Sequence, residues 1–147
     1  MILQVTTPLA QILDADDVRH VRAEDESGAF GILDGHADFL TTLAVSVVTW
    51  RGDDGSEHYV AVRGGLLSVD RRGKVAIATP EAVTGDDLHR LESETLGRFR
   101  QQIDDERAAH RDAQRLYLSA LRQITRLMRP ESGPATGSIP RIDVPPP

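Results

Sequence analysis

The 147-residue chain has no cysteine, which excludes a disulfide framework and a thiolate metal site and leaves nothing that requires an oxidising compartment. It lacks any apolar run of the roughly 20 residues needed to span a bilayer. Its first residues, MILQVTTPLAQILD, hold no basic stretch followed by a long apolar one, so they do not read as a signal peptide. Positive charge is not in excess either: 17 Lys and Arg stand against 23 Asp and Glu, a net charge of -6. That balance argues against general nucleic-acid binding, which depends on cations neutralising phosphates. The chain is expected to be soluble and cytoplasmic, at most peripheral to a membrane.

Catalytic and metal signatures are missing as well. The histidines, His20, His36, His58, His89 and His110, fall on separate elements with no i,i+4 pair and no HExxH string, so no zinc site is expected. There is no G-x-S-x-G elbow and no G-x-x-x-x-G-K-S/T loop. The Gly64-Gly65 pair, between two strand patterns, reads as a hairpin turn rather than a phosphate cradle. Trp50, at the end of a strand pattern, reads as core. No catalytic constellation and no cofactor follow from the residues, and an interaction role takes the place of chemistry.

What the chain does have is a succession of short strand patterns up to about Val83. Ile2-Leu3-Gln4-Val5-Thr6, then residues 9–13, then Val18-Arg19-His20-Val21-Arg22 are short and alternate or carry β-branched side chains. Residues 39–44, 45–50, 58–62, 66–69 and 74–79 continue the series, separated by polar or glycine turns. Strands this short, with turns this often, predict an α+β chain whose N-terminal part, residues 1–84, is an antiparallel β-sandwich of about 8–10 strands.

Pro80 breaks the last of these strands. The run Thr84-Gly85-Asp86-Asp87 marks a helix start, with Thr84 or Asp86 as cap. Leu88, Leu91, Thr95, Phe99 and Ile103 form one apolar stripe, and Ala113, Leu116, Ala120, Ile124 and Leu127 form a second. The polar segment between them, residues 104–112, has neither Gly nor Pro. It can be the elbow of an antiparallel hairpin or the middle of one long helix. Because a long helix with modest stripes and no neighbour is poorly stabilised alone, the expected C-terminal domain, residues 85–129, is a two-helix hairpin. The remainder, residues 130–147, is rich in Pro, Gly and Ser and is expected to be a disordered tail.

One stretch, GAFGILDGHADFL at residues 28–40, packs three glycines and an Asp-Gly turn among Phe30, Ile32, Leu33, Phe39 and Leu40. Read as Gly28-Ala29-Phe30-Gly31-Ile32-Leu33-Asp34-Gly35-His36-Ala37-Asp38-Phe39-Leu40-Thr41, it resembles the G-x-F/L-G-I-L-P-G-H-A-P-L-L-T signature of the epsilon subunit of the bacterial F-type rotary ATP synthase. Tyr59-Val60-Ala61-Val62-Arg63-Gly64-Gly65-Leu66-Leu67-Ser68-Val69 resembles a second signature of that family, Y-V-A-V-x-G-G-x-L-x-V. A sandwich followed by a two-helix domain is also the family's order.

The resemblance implies a non-catalytic rotor subunit of the central stalk, peripheral to the cytoplasmic face of the bacterial plasma membrane. Its partners would be the gamma subunit and the c-ring, met through Phe30, Gly31, Ile32, Leu33, Asp34, Gly35, His36 and Asp38. Its C-terminal helices would impede ATP hydrolysis, with Arg115, Arg122 and Arg126 meeting acidic groups of the alpha/beta catalytic head. A free-standing β-sandwich binding module that dimerises through its helices is the alternative. Two prolines of the family signature are aspartate here, Asp34 and Asp38, which makes the loop more acidic and less rigid. Some members bind ATP through an I/L-D-x-x-R-A string near the start of the first helix. The matching place reads Leu88-His89-Arg90-Leu91-Glu92-Ser93 and lacks the Asp and Arg. Ile103-Asp104-Asp105-Glu106-Arg107-Ala108 fits the letters about four turns later, where chance explains the match more readily than function. ATP is thus a candidate regulatory ligand at Ile103, Asp104 and Arg107. These departures and the Pro-rich extension suggest the divergent, alternate (N-type) branch of the family.

Overall fold

The computed structural model describes residues 1–128 and Pro145. Eight strands come first: β1 (Ile2–Thr6), β2 (Gln11–Ala15), β3 (Val18–Asp25), β4 (Gly28–Leu33), β5 (Phe39–Gly52), β6 (Glu57–Asp70), β7 (Lys74–Ala78) and β8 (Ala82–Gly85). They hydrogen-bond in the order β2-β1-β7-β6-β5-β3-β4, with β8 on β6. All pairs are antiparallel except β1 with β7, which run parallel from Ile2↔Lys74 to Thr6↔Ala78. The all-antiparallel expectation is corrected at that one pair.

The 14-residue strands β5 and β6 pair from Phe39↔Val69 to Arg51↔Glu57 in a single register. One half of this ladder carries β7 on Leu66–Asp70, and the other carries β8 on Tyr59–Val62 and β3 on the β5 edge. The two layers of the sandwich are therefore joined through β6. Their inner faces alternate as a pleated strand requires: Leu3 and Val5, Val18 and Val21, Val60 and Val62, Leu67 and Val69, and Val75 and Ile77 are all buried in one cluster.

Gly64-Gly65 is not the expected hairpin turn. It is the point where β6 bends and passes between layers, with φ of +74° and +113°. A Cβ on Gly65 would stand 2.1 Å from the Ala78 carbonyl oxygen. Only glycine permits both the backbone conformation and the approach. Likewise the predicted strands at residues 39–44 and 45–50 are one strand, β5, and β8, after Pro80, was not expected.

Asp87, rather than Thr84 or Asp86, caps the helix start by accepting from the Arg90 amide at 3.3 Å. A short α1 (Leu88–Arg90) leads through a π-helical turn, Leu91–Thr95, into α2 (Leu96–Met128). Leu91, Leu96 and Phe99 are buried against Ala61, with Val45, Val47, Tyr59 and Val83 around them. This second cluster covers the outer face of β5, β6 and β8. Arg63 donates to Glu106 at 2.9 Å and Arg98 to Glu81 at 3.2 Å along the same seam.

The expected elbow at residues 104–112 does not form, because α2 runs through it. The segment has no Gly or Pro to stop it, and Glu106, Arg107, Ala108, Ala109 and Arg111 favour the helix. By backbone contacts the chain divides into Met1–Glu106 and Arg107–Pro147. The predicted tail, residues 130–147, lies outside the described residues apart from Pro145.

Two glycine substitutions separate the bend from the helix. Gly65→Ala is expected to cost at least about 2 kcal/mol, since both the positive φ and the Ala78 carbonyl oppose a Cβ. Gly97→Ala, at an open helical position with nothing within 4 Å, is expected to stabilise by about 0.5–1 kcal/mol. Urea unfolding of the two full-length variants checks the opposite signs.

Candidate functional site

The stretch at residues 28–40 forms β4, a loop and the start of β5. β4 pairs with β3 from Asp25↔Gly28 to His20↔Leu33 and ends the strand order, so its other edge is free among the described residues. Period-2 geometry divides its side chains. Ile32 is fully buried and Phe30 is half-buried against the core, while Leu33 is 62% exposed. Ile32 is therefore a core residue and leaves the set of predicted interface side chains. Gly31 lies where the His20 ring crosses, its hypothetical Cβ 2.8 Å from His20 Nε2.

The loop after β4 turns at Gly35, whose φ is +82°. The His36 amide donates to the Leu33 carbonyl at 3.2 Å, and His36 Nδ1 donates to the Ala37 carbonyl at 2.7 Å. The ring of His36 meets Phe39 edge-on at 5.8 Å, and Phe39 meets Phe30 in the same manner at 5.5 Å. The loop thus rests on an aromatic pair that reaches into the sandwich. Asp34, Gly35 and Asp38 are exposed. Leu40 is also exposed, at 69%, as is Leu66. Neither was among the residues assigned to the interface from the sequence, although the alternation of β5 would have put Leu40 on the outer face.

At the other end of β4 the turn is held by Asp25. Its Oδ1 accepts from the Ser27 amide and hydroxyl at 2.9 and 2.6 Å, and its Oδ2 accepts from Thr41 Oγ1 at 2.9 Å. The Ser27 hydroxyl first, and the Thr41 hydroxyl second, hold the Asp25 carboxyl below its ordinary pKa. Trp50 is buried as expected and stacks on His58 at 5.1 Å.

On the helix, Arg115, Arg122 and Arg126 are exposed. At spacings of seven and four residues they share one face. Arg122 and Arg126 flank Leu118, Leu121 and Thr125 in a shallow depression. The apolar residues around them are exposed too: Leu116, Tyr117, Ile124, Leu127 and Met128. Of the predicted nucleotide residues, Ile103 is half-buried, and Asp104 and Arg107 are exposed.

Against known proteins, residues 1–85 match the family model described as ATP synthase, Delta/Epsilon chain, beta-sandwich domain. The chain belongs to that family. It is 39% identical over 133 residues to ATP synthase epsilon chain 2 of Paraburkholderia xenovorans, covering 90% of this chain and 96% of the relative. It is 41% identical over 129 residues to ATP synthase epsilon chain 2 of Cereibacter sphaeroides, covering 86% of each. Among solved structures it resembles a chain of the Euglena gracilis mitochondrial ATP synthase, determined by cryo-EM as OSCP/F1/c-ring in rotational state 1. There the TM-score is 0.56 at 26% identity, over 74% of this chain and 64% of that one. For the family's sandwich, the structure sorts the resemblance residues into a core position, Ile32, a half-buried Phe30 packed against it, and a loop in which Asp34, Gly35 and Asp38 are exposed and His36 is half-buried.

That sorting is testable. Ile32→Asp places a charge in the core and is expected to unfold the chain or cost more than about 4 kcal/mol. Leu33→Asp, on the outer face, is expected to leave the unfolding midpoint within about 0.5 kcal/mol; circular dichroism with urea distinguishes them. The Asp25 turn carries a pH dependence of definite sign. Its folded pKa is depressed, so its contribution is present above the unfolded value, about 3.9, and is lost as pH falls through the folded value. Asp25→Asn is expected to lower the unfolding midpoint at pH 7 and to flatten its decline below about pH 4, as read from urea midpoints across pH.

Proposed function

We infer that the chain is the epsilon subunit of an F-type ATP synthase, a non-catalytic part of the central stalk that couples ion translocation to ATP synthesis. The observation that carries this reading is the match to an ATP synthase epsilon chain over 90% of this chain and 96% of the relative. The family's sandwich accounts for residues 1–85. The proposed partners are gamma and the c-ring, and the Euglena assembly with its c-ring supports that choice. The contacts we propose for them are Leu33, Asp34, Gly35 and His36, with Asp38 closing the loop and Gly31 and the half-buried Phe30 behind it. No helix among the described residues is long and apolar enough to cross a membrane, in keeping with a peripheral place on the cytoplasmic face. Several relatives are named epsilon chain 2, which supports the alternate branch.

The division of labour we propose follows the two units. Met1–Glu106 docks on the rotor, and the helix from Arg107 onward is the arm that reaches the alpha/beta head through Arg115, Arg122 and Arg126. The first helical turns, assigned from sequence to residues 85–129, then belong with the sandwich they cover. ATP contact at Ile103, Asp104 and Arg107 is a subordinate proposal, decided by calorimetric titration of the full chain with ATP. The dimerising-module alternative is not favoured by the relatives.

Co-purification with gamma tests the main reading: a stoichiometric complex is expected, and its absence would sink it. A chain ending at Glu106 keeps Leu91, Leu96 and Phe99 on the sheet and removes the three arginines. Within the assembled enzyme this truncation is expected to raise ATP hydrolysis several-fold. An unchanged rate would show that the arm is not inhibitory.

A further inference from the structure

The exposed loop at residues 34–38 carries no proline and turns at a glycine, yet it is fixed to a neighbouring turn. β6 and β7 are joined by the turn Asp70-Arg71-Arg72-Gly73. Within it Gly73 N donates to the Asp70 carbonyl at 2.9 Å, and Arg72 N donates to Asp70 Oδ1 at 2.7 Å. The remaining amide, Arg71 N, donates to Asp38 Oδ1 at 2.8 Å, across 33 residues of chain. Arg71 Nε lies 3.6 Å from the other Asp38 oxygen. Asp34 faces the same turn, its Oδ1 3.7 Å from where a Cβ on Gly73 would stand.

We propose that Asp38 is the positioning residue of the docking loop, clamping it to the β6–β7 turn through the Arg71 amide so that His36 and Leu33 are held in place for the rotor partner. The inference rests on the rotor reading above. The ion pair is not the clamp: both side chains are more than half exposed, at 65% and 80%, where water and salt screen their attraction. The hydrogen bond to a backbone amide is charge-assisted and directional, and it fixes the loop's end relative to the sheet. Where the resembling family has proline, whose ring stiffens the chain locally, this chain has a side chain that stiffens it through a second element. The clamp spares the loop an ordering cost on binding, and that saving is what its loss exposes.

The test uses the full-length chain with gamma and the c-ring of its own enzyme. Asp38→Ala is expected to weaken binding by about three- to tenfold, the range for losing one ordinary solvent-accessible hydrogen bond. Asp38→Asn, whose Oδ1 still accepts from Arg71 N, is expected to restore most of it, and Arg71→Ala, which keeps the amide, to stay within about twofold of wild type. Hydrogen exchange of the Arg71 amide supplies a readout that needs no partner: protected in wild type and Asp38→Asn, fast in Asp38→Ala. Equal exchange in wild type and Asp38→Ala overturns the clamp. Equal weakening by Asp38→Ala and Asp38→Asn, with exchange unchanged in Asp38→Asn, overturns its role in docking and makes the charge a direct partner contact. Failure of the wild-type chain to bind overturns the rotor reading instead, while the exchange result still decides whether the clamp exists.

Discussion

The structure depends on the approach of the Ala78 carbonyl to Gly65. The β5–β6 ladder is 14 residues long on each strand. A flat ladder of that length would belong to one layer only. The bend at Gly64-Gly65 lets β6 pair with β7 on one side and β8 on the other, so one strand supplies Val60 and Val62 to one layer and Leu67 and Val69 to the other. Sandwich corners of this kind are made where a strand bends and changes sheets. Ala61, between two inward valines, consequently points outward, and there it meets Leu91, Leu96 and Phe99. The helical cover is thus a consequence of the same bend that closes the core.

Much of this was legible in alternation. Leu3 and Val5, Val18 and Val21, and Val75 and Ile77 stand two or three residues apart in strands bounded by turn residues, and each pair is buried. Gly64-Gly65 was misread because two glycines between apolar runs mark a hairpin turn and an in-strand bend equally well. What separates them is the partner, Leu43 opposite Gly65, and pairing across 22 residues is not a local property. Asp38 was singled out as a departure, but its bond to Arg71 N could not be read, since the two are brought together only by the ladder between them. Ile32 could have been separated from Leu33. Adjacent residues on a strand face opposite ways, and with Phe30 leaning on the core, Ile32 had to follow it.

The missing elbow has a different cause. A hairpin requires the chain to stop being helical at some residue, and between Arg98 and Met128 nothing stops it: the run holds neither glycine nor proline. The argument for a hairpin was one of burial, that a second apolar stripe needs a cover. The structure leaves Leu116, Ile124 and Leu127 exposed, so local propensity prevailed over burial in the chain taken alone.

That outcome divides the chain by the source of its stability. In Met1–Glu106, order comes from buried Val, Leu and Ile, each contributing about 1.5–3 kcal/mol on burial, and from turns whose amides are bonded to Asp25, Asp38 and Asp70. From Arg107 to Met128 no side chain is buried, and order comes from backbone bonds with local help such as Gln114 to His110. A helix sustained only by propensity and i,i+4 pairs lacks the packing that supplies most helical stability in proteins. In the first unit a local opening must expose the buried cluster that Leu3, Val21, Val60 and Ile77 share, which sets those strands at the stable end of the range of local openings. The second can change partners cheaply, since no core must be broken to do so. A rotor subunit that must grip at one end and respond at the other requires that contrast, and here it follows from where the apolar residues find cover and where they do not.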